Sequence, residues 1–106
     1  MSTDSASNPA YLYSIALTQP LVRFDSTNPL GNEVQCIEHI KALLDDAGIQ
    51  NQALAKASGL PNPVARLSGD GIAGPLLLQG HIYVVLANPE RWQHPPFGGD
   101  LVDGFL

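Results

Sequence analysis

Leu76, Leu77 and Leu78 form an unbroken apolar run between Gly74-Pro75 and Gln79-Gly80, and this run constrains the fold of the 106-residue chain most. A strand with one wet face alternates apolar and polar residues. A continuous run bounded by glycine and proline predicts a strand buried on both faces. Such a strand needs helices on both sides of its sheet, which implies a layered α/β domain. The chain offers two helical patterns, and both precede the run. As a domain of this class it is expected to be incomplete.

Hydrophobic residues make up 44% of the chain and charged residues 14%, enough apolar content for a core. Ten acidic against five basic residues give a formal net charge of −5, which excludes a general electrostatic binder of nucleic acid or anionic membrane. No apolar run approaches the roughly 20 residues a membrane-crossing helix requires. A single cysteine provides no internal disulfide framework, so a reducing, cytoplasmic setting is expected. Met1 to Asn8 is polar, carries Asp4 and no Lys or Arg, and reads as a disordered lead-in rather than a signal peptide. Residues 9–106 are read as the domain segment.

The first helix is predicted from Pro9 to Arg23, with Leu12, Ile15, Ala16, Gln19 and Val22 near one face. Pro20 is expected to kink or stop it near Gln19. Phe24 to Asn32 is rich in turn formers. The second helix is the clearest element. Asn32 and Gln35 have the spacing of a capping box, and Cys36, Ile37, Ile40, Leu43, Leu44 and Ala47 form one stripe. Lys41, Asp45 and Asp46 face away. Gly48 supplies the left-handed position after the helix, with Ile49 packing back. Strands are expected at Ile49–Ala57, Val64–Leu67 and Pro75–Gly80, the last extended by Tyr83 to Leu86. Ser58 to Pro61 and Ser68 to Pro75 are turns between them. Asn88 to Gly99, with three prolines and two glycines, reads as an irregular loop, and Leu101 to Leu106 as the start of a further strand.

Few residues stand out chemically. Gly69-Asp70-Gly71-Ile72-Ala73-Gly74 is a literal G-x-G-x-x-G. A dinucleotide site needs a helix directly after it, and here Pro75 and the leucines follow, so a turn around Asp70-Gly71 is expected instead. His81 follows the apolar strand, where open α/β sheets place ligands. The competing reading is an imidazole satisfied by a neighbouring backbone group, since one histidine is not a metal site. His39 is placed on the polar face of the second helix, and His94 in the proline loop. No G-x-S-x-G elbow is present. Cys36, on the apolar stripe, reads as a small hydrophobe. Trp92 and Phe97 bracket His94-Pro95-Pro96, a pattern read as local packing.

Several words, in order, resemble one family. Gly80-His81-Ile82-Tyr83-Val84-Val85 resembles the G-H-x-D-V-V signature of the zinc peptidases and deacylases that include carboxypeptidase G, acetylornithine deacetylase, succinyl-diaminopimelate desuccinylase and aminoacylase. Ser26-Thr27-Asn28-Pro29-Leu30-Gly31 is similar to their S/T-x-N-P-P-G loop, Asn62 to Leu67 to their N-x-V-A-x-x strand, Trp92 to Phe97 to W-x-x-x-P-F, and Asp103 to Leu106 to D-G-x-L/I. The resemblance extends from Leu12 to Leu106. It implies a partial three-layer α/β/α domain with a mixed sheet, the N-terminal part of a metallohydrolase catalytic domain.

It further implies that His81 is a zinc ligand, one of a two-zinc site. Complete members hydrolyse N-acyl amino acids or small peptides. The carboxylate that orients this histidine falls at Tyr83, which is neutral at pH 7 and cannot supply that charge. Leu86 replaces the proline usual after the signature. The family's other ligands and its general base have no counterpart within the chain, so no catalytic residue is assigned. A chain of this kind is expected to be inactive alone, to bind zinc weakly if at all, and to be prone to self-association. The alternative is a non-catalytic interaction module derived from the same fold.

Overall fold

The computed structural model describes residues 9–27, 33–57 and 59–106. The described residues make a small α/β arrangement of two helices and a two-stranded antiparallel sheet. They fall into two compact units. One is formed by the chain up to Asp25 with Val85–Leu106, the other by Ser26–Val84. No helix among the described residues is long and apolar enough to cross a membrane.

In the first unit, helix α1 spans Pro9–Val22 and runs through Pro20, so of the kink or stop expected near Gln19 the stop does not occur. Proline there removes one bond, the one an amide at position 20 would give to the Ala16 carbonyl. Only Leu21 and Val22 follow it in the helix, so the loss is confined to the last turn. That turn is also held from outside. The Gln19 side-chain amide donates to the Gly99 carbonyl at 2.9 Å, and Arg23 Nε donates to the Gly98 carbonyl at 3.1 Å.

The loop that meets them is partly ordered. A 3₁₀ turn covers Pro89–Arg91, with the Asn88 side chain accepting from the Glu90 amide at 3.1 Å. Gly98 closes a turn onto the Pro95 carbonyl at 3.0 Å. Gly99 is buried and adopts φ +67°, and a Cβ there would lie 3.0 Å from the Gln19 carbonyl oxygen. Only glycine combines that conformation with so close an approach.

The chain end corrects a further expectation. Leu101 to Leu106 is not one strand but a tight hairpin. Val102 and Phe105 exchange both backbone bonds at 2.9 Å across Asp103-Gly104. Asp103 and Gly104 have φ of +53° and +82°, the positive pair that a two-residue Asp-Gly hairpin turn demands.

The second unit is built on helix α2, Glu33–Asp46. Asn32, the expected cap, lies outside the described residues, as do Met1 to Asn8, Asn28 to Gly31 and Ser58. The far end of α2 is as expected. Gly48 has φ +71°; its amide reaches the Asp45 carbonyl at 3.0 Å and the Ile49 amide reaches Leu44 at 2.9 Å. This pair of bonds satisfies two carbonyls the helix would leave open.

α2 packs on two strands, β1 at Asn51–Ala55 and β2 at Pro61–Ala65. Cys36 and Ile37 are 2% and 3% exposed, while Ile40 and Leu44 are half-buried. Asn51, which pairs with Ala65 in the antiparallel register, joins helix to sheet. Its side chain donates to the Asp45 carboxylate at 2.7 Å and accepts from Lys41 at 3.0 Å.

β2 starts three residues earlier than expected and contains Pro61 and Pro63. The register explains why. The Arg66 amide donates to the Gln50 carbonyl, so the amides of Val64 and Asn62 also face β1. Pro61 and Pro63 occupy the outward positions, where no ladder donor is required.

The expected third strand does not form. Leu76, Leu77 and Leu78 are 83%, 84% and 83% exposed and carry no regular structure. The doubly covered strand, the three layers and the mixed sheet are therefore not present among the described residues. A strand is defined by its neighbours, and here none pairs with this run.

Candidate functional site

Gly80 to Val84 of the signature segment lie in the second unit, beside Ser26 and Thr27. Ser26 is buried, and its hydroxyl donates to the Ile82 carbonyl. The Val84 amide donates to the Ser26 carbonyl at 3.1 Å, and Thr27 forms a parallel bridge with Val84. Ser26 thus grips the backbone on both sides of Tyr83.

That grip fixes the orientation of what lies between. In a trans peptide the carbonyl of one residue and the amide of the next point in opposite directions. The Val84 amide faces Ser26, so the Tyr83 carbonyl faces away from it. There it meets His81, whose Nδ1 lies 3.0 Å from the Tyr83 oxygen. Residues two apart in an extended segment share a face. The His81 and Tyr83 rings accordingly stack, with centroids 4.7 Å apart and planes at 26°. Both side chains are exposed.

His81 does make a contact with a neighbouring backbone group. It does not consume the imidazole, because Nε2 has no part in it. His39 is half-buried rather than solvated, since it sits three positions along α2 from Cys36 and so flanks the buried stripe. His94 is exposed in the first unit, beside Trp92 and Pro95 in an open groove also lined by Val22 and Phe105. Among the described residues no three His, Cys, Asp or Glu side chains come together to hold a metal ion. Cys36 is buried on α2, and desolvation pushes its thiol pKa up, which keeps it protonated and unreactive.

Gly69 to Gly74 forms a turn as expected. The Asp70 carboxylate accepts from the Ile72 amide at 3.0 Å, and Gly71 has φ +80°. No helix follows to receive a pyrophosphate. Reasoning from sequence missed Ser26 as an individual residue. Its signal was present in the Ser26 to Gly31 loop, but nothing local joins position 26 to position 82.

Across 93 residues, 87% of its length, this chain is 33% identical to the succinyl-diaminopimelate desuccinylase of Cereibacter sphaeroides. The chain is similar to succinyl-diaminopimelate desuccinylases. Identity is 34% over 95 residues to that of Methylorubrum extorquens and 32% over 93 residues to succinyl-diaminopimelate desuccinylase 2 of a Ruegeria species. The chain spans about a quarter of these desuccinylases, 24%, 24% and 23% of their lengths. No family model and no solved structure matches the chain.

Proposed function

We propose that the chain is the signature-bearing, N-terminal segment of a zinc-dependent amidohydrolase catalytic domain of the peptidase and deacylase kind. The similarity to desuccinylases over 87% of its length carries this reading. It draws support from the order of the family words from Ser26 to Leu106. The substrate class is an N-acyl amino acid or a small peptide, with N-succinyl amino acids first among them. Zinc in such an enzyme polarises the scissile amide and lowers the pKa of bound water.

The described residues fit one zinc ligand. His81 presents an imidazole with Nε2 outside its backbone contact. Structural and catalytic zinc sites take about three or four protein ligands, so His81 supplies a ligand and not a site. We therefore assign no hydrolytic activity to these residues alone, and no step of the reaction to any of them. The exposed leucines favour a second reading, a non-catalytic interaction module built on the same fold.

The test is a chimera in which residues 12–106 replace the matching segment of the Cereibacter sphaeroides desuccinylase. Hydrolysis of N-succinyl-diaminopimelate, lost with His81→Ala, is the expected result. A folded chimera without activity, in which Tyr83→Asp restores nothing, would favour the module.

A further inference from the structure

In the family signature a carboxylate stands two residues after the histidine, and here that position holds Tyr83, whose phenol makes no bond to the imidazole. We infer that the main-chain carbonyl of Tyr83 takes over the orienting task and fixes His81 as the Nδ1–H tautomer, leaving the Nε2 lone pair directed outward as the donor atom. This rests on the reading of His81 as a metal ligand only for its purpose; the tautomer itself follows from geometry.

A carbonyl oxygen accepts and never donates. The 3.0 Å contact between His81 Nδ1 and the Tyr83 oxygen is a hydrogen bond only when Nδ1 carries the proton. A ligating histidine commonly donates its second ring N–H to a carboxylate or to a backbone carbonyl, and either acceptor sets which nitrogen is free. The carbonyl is itself held. Ser26 binds the Ile82 carbonyl and the Val84 amide, so the peptide after Tyr83 presents its oxygen on the opposite side. The Tyr83 ring then covers one face of the imidazole at 4.7 Å and limits its rotation. Replacing the carboxylate thus removes a charge from beside the histidine without removing its orientation. The donor atom keeps its aim, and Tyr83 acts through His81 as a positioning residue.

The experiment is a long-range ¹H–¹⁵N correlation on the metal-free, ¹⁵N-labelled full chain at about pH 9, where free imidazole is neutral. His81→Phe identifies the resonances. An unconstrained imidazole in water favours the Nε2–H form, so the Nδ1–H pattern at His81 is a specific outcome. That pattern is expected in the native chain and also in Tyr83→Ala, which keeps the carbonyl and loses the ring. An Nε2–H pattern in the native chain would overturn the inference, and so would reversion to it in Tyr83→Ala. The readout needs no zinc and no turnover. Its failure is therefore distinct from failure of the chimera to hydrolyse its substrate.

Discussion

The Ser26 hydroxyl donates to the Ile82 carbonyl across 56 residues of chain, and the Ser26 carbonyl receives the Val84 amide. This one buried serine sets the backbone of the signature segment. Ser26→Ala removes the hydroxyl and leaves the Ile82 carbonyl without its partner, a loss of about 1–3 kcal/mol. Exchange of the Val84 amide should accelerate about fivefold or more, since 1.4 kcal/mol is a factor of ten. Unchanged exchange would show that Thr27 and its bridge suffice.

At Gly99 the backbone tolerates only glycine. Gly99→Ala forces a Cβ to 3.0 Å from the Gln19 carbonyl at φ +67°. A loss of about 1–3 kcal/mol is expected from the strained conformation. Gly74→Ala is the control, since no atom lies within 4 Å of its Cβ position and its φ is not positive. That change should be neutral or stabilising by about 0.4–1 kcal/mol. Urea denaturation followed by the single tryptophan distinguishes the two, as Trp92 lies in the same unit as Gly99.

Asp45 provides a pH dependence. Its carboxyl pKa is held below the usual range, first by the hydrogen bond from Asn51; desolvation opposes that shift, and the charge and hydrogen bond of Lys41 add to it. A carboxylate whose pKa is lower folded than unfolded adds stability above its unfolded pKa. That contribution disappears as pH falls through the folded value. The junction of α2 and β1 should therefore weaken below about pH 4. Asn51→Ala should remove most of that acid sensitivity. Chemical-shift titration of Asp45 in both forms is the measurement, and equal midpoints would contradict the assignment.

Leu76, Leu77 and Leu78 leave most of their apolar surface in water, where burial of each is worth about 1.5–3 kcal/mol. Sedimentation at micromolar concentration should show association of the chain, reduced by Leu77→Asp. A monomer unaffected by that substitution would mean the run has no role in contacts between copies.

How much of this was legible in the sequence divides by range. Helix α2 and its glycine end are local features, written in a 3.6-residue stripe and one left-handed position, and they form where expected. Pro20 misled because the rule against helical proline weakens in a last turn, above all one held by Gln19 and Arg23. β2 starts earlier than expected because Pro61 falls among turn residues and Pro63 suits a strand start, and only the register shows their amide positions facing outward. The Asp103-Gly104 turn was in plain view but was absorbed into a strand. The leucine run was read for the partners it would need, and a residue pattern cannot state whether those partners are there. His81 was legible as a candidate by its signature. Its carbonyl contact was not, because main-chain direction there depends on Ser26, which bonds to Ile82 across 56 positions.

On the proposed reading, His81 donates Nε2 to a zinc ion once the rest of such a catalytic domain surrounds it. The direct measurement is zinc stoichiometry of the purified desuccinylase chimera, by elemental analysis after dialysis, with and without His81→Ala. The account predicts that His81→Ala lowers zinc per chain in a protein whose circular dichroism is unchanged. Equal zinc content in the two proteins would contradict it.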